Sequence, residues 1–199
     1  MHHLLAPADY RRMPWKNGGG HTLEIATHPA DADLASFAWR VSIADVTRDG
    51  PFSAFPGVER TLVLLAGRGM RLVGAGDPMD LMTPFEPVTF AGEASLHCTL
   101  SDGPTRDFNL MVRRASASGE VVVVRDESLA LPPAQTYVCF AAAGACECLI
   151  AGFPPLEVSP EHTLICHAEG GGGMHVSPTS ANAVALVVLI GRQNAAGVQ

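Results

Sequence analysis

No stretch of this chain sustains the three-to-four-residue spacing of apolar side chains that a helix requires. Short apolar runs are instead cut off repeatedly by glycine, proline, aspartate and serine. That punctuation predicts an all-β protein. Strands are expected over 23–26, 37–46, 61–66, 69–73, 96–100, 108–113, 120–125, 136–140, 146–150, 163–167 and 183–190. Turn clusters separate them, among them Arg48-Asp49-Gly50-Pro51, Pro56-Gly57 and Ser101-Asp102-Gly103-Pro104. Strands at this spacing suit a sandwich or a jelly roll, and 199 residues can hold two such barrels. The join is expected near Ala115–Gly119, giving halves 1–115 and 116–199 that form one compact unit. With no clean internal repeat, a single large β-sandwich stays open.

Composition narrows the partners. A hydrophobic content of 47% with 17% charged residues describes a chain that buries a core, which excludes disorder. A formal charge of −7 argues against nucleic acid or an anionic membrane as principal partner, since both need a basic surface. The N-terminal segment lacks the pattern of a secretory signal. The most apolar run, 183–190, is far too short for a membrane-spanning helix. Five cysteines in no disulfide-like framework fit a reducing compartment, so a cytoplasmic location is expected. Homodimerisation is left open.

Strand parity points to a polar face. In 37–44 the even positions carry Arg40 and Ser42 while the odd ones are large and apolar; 107–113 alternates likewise, with Asp107, Asn109 and Arg113 on one side. These faces either line a barrel mouth or form a wet surface. The loop from Gly50 to Leu62 adds Phe52 and Phe55 around Ser53, with Arg60 opening the next strand. Its aromatics either cap a core or wall a small-molecule site. The run Trp15-Lys16-Asn17-Gly18-Gly19-Gly20-His21-Thr22 combines an aromatic, a cation and an amide with glycines that permit a tight turn and close backbone approach. It reads as a hairpin turn or as a binding loop.

Several chemistries find no support. The eight histidines are scattered without ligand spacing, and 50–69 contains none, so no metal is expected. Cys146 and Cys148 would share one strand face near Cys166 and His167, but they read better as buried apolar side chains. Gly170–Gly173 lacks the Gly-Lys-Ser/Thr ending of a phosphate loop, and Asn17–Gly20 leads into a strand, leaving no helix N-terminus for a pyrophosphate. No Gly-x-Ser-x-Gly elbow is present. Neither a cofactor nor a catalytic residue is assigned.

Taken in order, Trp15–Thr22, Trp39–Ala44, Asp49–Gly57, Arg60–Leu62 and Gly103–Met111 closely resemble the HutD/Ves family of cupin-like proteins. The likeness covers about the first 115 residues; the second half is recognisable mainly by length and β character. Leu23 departs from the family's pattern, which often has a basic residue there. The resemblance implies an RmlC-like bicupin of two small jelly-roll-like β-barrels packed together, without a metal triad, and an association with bacterial histidine utilisation. It further implies a role in sensing or limiting flux through histidine catabolism, with an intermediate such as N-formylglutamate as ligand.

The residues supply chemistry for such an anion. Lys16, Arg40 and Arg60 suit carboxylates, since an arginine fork pairs bidentately with a planar anion. Asn17, Thr22, Ser42, Ser53 and Asn109 suit an amide or formamide, Asp107 would hold an arginine, Gly18 permits close approach, and Trp15, Phe52 and Phe55 would exclude water. The leading expectation is a small-molecule-binding regulatory protein. A metal-free cupin enzyme of isomerase or hydrolase type, with Lys16 or Asp107 as general base, and a structural or partner-binding module are the alternatives.

Overall fold

A computed structural model describes residues 1–15, 18–168 and 172–192. From the N-terminus, β1 (His2–Leu5) precedes a 3-10 turn (Pro7–Asp9), β2 (Arg11–Pro14), β3 (Gly20–His28) and β4 (Trp39–Val46). There follow β5 (Gly50–Phe52), β6 (Val58–Ala66), β7 (Met70–Val73), β8 (Met79–Leu81), β9 (Pro87–Ala91), β10 (Leu96–Leu100) and β11 (Thr105–Arg113). The remaining strands are β12 (Ala117–Arg125), β13 (Leu129–Leu131), β14 (Thr136–Ala143), β15 (Cys146–Ile150), β16 (Leu156–Val158), β17 (Thr163–His167), β18 (Met174–Pro178) and β19 (Val184–Arg192). The protein is all-β, and every region expected to be a strand is one. Among the described residues no helix is long and apolar enough to cross a membrane.

The chain divides into two units, Tyr10–Ala117 and Ser118–Gln199 together with Met1–Asp9. The first unit has a six-stranded sheet, ordered β2-β3-β4-β11-β6-β9, and a four-stranded one, β5-β10-β7-β8. Their facing sides enclose a core in which Ala44, Val46 and Leu62 meet Met70, Leu72, Leu81, Leu96 and Cys98. Fully burying each leucine contributes about 1.5–3 kcal/mol relative to exposure. The second unit repeats the plan with sheets β1-β17-β14-β19-β12 and β13-β18-β15-β16. Here Tyr137, Cys139, Leu164 and Val187 face Cys146, Cys148, Met174 and Val176. Each unit is jelly-roll-like.

The N-terminal residues differ from the sequence reading, which grouped them with the first half. β1 lies antiparallel to β17, pairing His2 with Cys166 and Leu5 with Thr163. Local sequence cannot report this, because an edge strand is defined by a partner about 160 residues away.

Candidate ligand-binding cavity

The polar positions of β4 and β11 fall on one face because of register. β11 lies between β4 and β6; Asn109 sits opposite Ser42 and Leu62, Met111 opposite Arg40 and Arg60, and Asp107 opposite Ala44 and Leu64. Leu62 and Ala44 belong to the core between the sheets, so Arg40, Asn109, Met111 and Arg60 also face the barrel interior. Both faces of β4 are therefore buried, and its polar side is no wet surface. A cavity of about 490 Å³ opens there, well within the range of small-molecule sites. Its walls are Met13, Pro14, Trp15, Thr22, Leu34, Arg40, Ala44, Pro51, Phe52, Ser53, Phe55, Arg60, Asn109 and Met111.

Trp15, Gly18 and Gly20 hold a hairpin turn, and Trp15 is also a wall of the cavity. The Trp15 amide donates to the Gly20 carbonyl at 3.0 Å, and the Gly18 amide donates back to Trp15 at 3.0 Å. Gly18 has a φ of 67°, and a Cβ on Gly20 would collide with the Asp45 carbonyl oxygen, so both positions require glycine. Turned inward, Trp15 donates its Nε1–H to Thr22 Oγ1 at 2.8 Å.

The two arginines differ in their partners. Arg40 Nε donates to Glu24 Oε2 at 2.6 Å, and its Nη1 donates to Ser42 Oγ at 3.3 Å. Arg60 has no carboxylate at ion-pair distance among the described residues. Its guanidinium carbon lies 4.7 Å from the Phe52 ring centroid, 5.6 Å from Phe55 and 5.4 Å from Phe90. Its Nη1 donates to the Ser53 carbonyl at 3.3 Å, and its buried Nε has no partner among the described residues. Burial pushes the guanidinium down to about 10, which leaves it charged at neutral pH. Burial also pushes the Asp107 carboxyl up to about 7 against the pull of Arg60, with Asp45 adding to the rise. Among the described residues neither carboxyl oxygen of Asp107 has a hydrogen-bond partner, nor has Asn109 Oδ1.

The HutD family model matches residues 7–186. The chain belongs to the HutD family. It is 41% identical over 149 residues to an uncharacterized 21.2 kDa protein in the hutC 3′ region of Pseudomonas putida, covering 75% of this chain and 78% of that one. Protein Ves from Citrobacter koseri is 40% identical over 119 residues, covering 58% of this chain and 61% of its own. HutD from Pseudomonas fluorescens SBW25, in a formate condition, superposes with a TM-score of 0.82 at 30% identity, covering 98% of this chain and all of that one. A conserved protein of unknown function from Pseudomonas aeruginosa PAO1 reaches 0.88 at 31% identity, covering 96% and 99%. Bacillus subtilis oxalate decarboxylase, at 6% identity and a TM-score of 0.63, shares the cupin fold alone.

In this HutD-family chain the structure gathers most of the residues singled out from sequence. Trp15, Thr22, Arg40, Phe52, Ser53, Phe55, Arg60 and Asn109 line one cavity. Ser42 and Asp107 share its sheet face but are fully buried off the wall; Ser42 braces Arg40. Contrary to its expected role, Asp107 holds neither arginine by a hydrogen bond among the described residues; Arg60 acts on it through charge alone, against the effect of burial. Gly18 shapes the turn and lends its carbonyl to Arg48 Nη2 at 2.8 Å. Lys16 and Asn17 lie outside the described residues. Arg113, on the same strand face, is occupied elsewhere: it donates to the carbonyls of Ala35 and Phe37. Sequence reasoning missed Met13, Pro14, Leu34, Ala44, Pro51 and Met111 of the wall, and Glu24, the partner of Arg40. Glu24 was findable, since it lies two residues beyond Thr22 on one strand face. Leu34 sits on a loop with no periodic signal. Two guanidiniums on the wall, and no histidine among the lining residues, make the cavity a poor fit for a divalent cation.

Proposed function

We propose that the cavity binds a small carboxylate-bearing metabolite that also offers a hydrogen-bond donor, with N-formylglutamate as first candidate. By holding that ligand without transforming it, the protein would sense or limit flux in histidine utilisation, in the cytoplasm. The observation that carries this reading is Arg60, a buried cation boxed by three aromatic rings with no carboxylate partner among the described residues. A desolvated guanidinium with a free Nε–H favours an anion that supplies the missing charge and acceptor. Arg40 stands two strands away, on the far side of Met111 in β11, for a second anionic group of the ligand. Asn109 Oδ1 can take an N–H from an amide or formamide.

Calorimetry with N-formylglutamate, glutamate and formate tests this. Binding of N-formylglutamate that is lost in Arg60→Ala and weakened in Arg40→Ala supports it; affinity unchanged by both refutes it. A catalytic role is the second reading, favoured by the Asp107 carboxyl, which titrates near neutrality as a general base should. Asp107 is 1% exposed and off the cavity wall, so a ligand in the cavity would not touch it. Turnover assays on the same compounds separate the two.

A further inference from the structure

In the second unit three thiols meet where the two sheets face. Cys139 points inward from β14, and Cys146 and Cys148, two residues apart on one face of β15, meet it from the opposite sheet. The Cys139 Sγ lies 3.9 Å from that of Cys146 and 3.5 Å from that of Cys148. All three sulfurs lie within 4.8 Å of one another. Each residue is at most 2% exposed, and none is in a disulfide. The sequence set the pair on β15 near Cys166 and His167; the fold brings Cys139 to it instead.

The spacing and the donor type agree on a ligand. A cation about 2.3 Å from each sulfur, with tetrahedral or trigonal angles, holds its sulfurs about 3.8–4.0 Å apart. The two separations from Cys139 need shifts of only a few tenths of an ångström to match, and the third, within 4.8 Å, needs less than about 1 Å. Three sulfur donors, with no oxygen or nitrogen ligand in the cluster, select soft ions over magnesium, calcium or manganese. A closed zinc site takes four ligands, so three donors in a dry core suit Cu(I) better. We propose that Cys139, Cys146 and Cys148 form a thiolate site for one soft closed-shell cation, Cu(I) ahead of Zn(II). Each thiol that ligates gives its proton to solvent as its metal–sulfur bond forms, and no electrons change hands. The bound ion would pin β14 to β15 across the barrel. It stands independently of the cavity in the first unit.

The test is an anaerobic titration of the reduced full chain against a chromophoric Cu(I) chelate, with a parallel Zn(II) series. A second sample is unfolded and refolded with the metal, because the thiols are buried. The expected result is uptake of one equivalent, a raised melting temperature and a thiolate-to-metal charge-transfer band. These should be lost in Cys139→Ser and Cys148→Ala and kept in Cys98→Ala, whose thiol lies in the other unit. Near-native circular dichroism shows that the variants fold. Substoichiometric uptake by both samples, uptake undiminished in Cys139→Ser, or a disulfide linking two of the three in protein isolated from cells would each overturn the proposal.

Discussion

Replacing Arg60 by methionine should separate binding from stability, because the first effect is large and the second small. Burial pushes the guanidinium down to about 10 from its ordinary value, which corresponds to about 3 kcal/mol of destabilisation. The group is charged in both folded and unfolded chains below pH 10, so that cost is constant across the working range. Set against it are contacts with three rings, about 1–2 kcal/mol each for a desolvated cation. Methionine keeps the apolar part of those contacts and adds its own sulfur–aromatic attraction. The two sums nearly cancel, so Arg60→Met should lie within about 2 kcal/mol of the parent when no ligand is present. Removing one partner of a buried charge pair costs about 2–5 kcal/mol, so the affinity for N-formylglutamate should fall by about 30-fold to several thousand-fold. Urea denaturation at pH 6, below the value near 7 at which the Asp107 carboxyl ionises, reads the first quantity, and calorimetry reads the second. A variant less stable by about 2 kcal/mol or more would make the guanidinium a structural brace and sink the argument. Undiminished binding would do the same.

The Asp107 carboxyl is raised from 3.8 to about 7, so folding retains a proton that the unfolded chain releases; stability present below pH 4 is lost as pH rises to about 7, by about 4 kcal/mol. Asp107→Asn should remove that slope, which paired denaturation curves at pH 4, 5.5 and 8 will show. Glu24→Gln breaks the 2.6 Å pair with Arg40 and should cost about 3 kcal/mol of stability. It also leaves a second uncompensated cation on the wall, so formate should bind more tightly by calorimetry. Trp15 and Trp39 are the two tryptophans, and only Trp15 lines the cavity. Ligand-induced fluorescence change should survive Trp39→Phe and vanish in Trp15→Phe.

Sequence pattern reported long central strands well and edges poorly. Alternation in Trp39–Val46 and Thr105–Arg113 is strong enough to read because each strand is flanked by partners and buried on both faces. Of the eight strands that pattern did not reveal, seven (β1, β2, β5, β8, β9, β13 and β16) lie at sheet edges. They run three to five residues, and Pro14, Pro51 and Pro87 fall within them, a residue tolerated where the N–H side faces away from a partner. The cavity was legible for the same reason as the central strands: Arg40 and Asn109 break an otherwise apolar alternation. Asp107 broke it too, yet its role was misjudged, because whether a buried carboxyl pairs with an arginine or stays neutral depends on a few ångströms that spacing does not encode.

The pairing of β1 with β17 has a consequence for synthesis. The strand His2–Leu5 leaves the ribosome some 160 residues before Thr163–His167, so it waits without its partner while Tyr10–Ala117 has everything its own sheets need. Throughout that interval a short unpaired edge is on offer to other nascent chains. A deletion at residues 2–5 would then be felt in the half of the molecule made last, as an uncovered β17 edge prone to self-association.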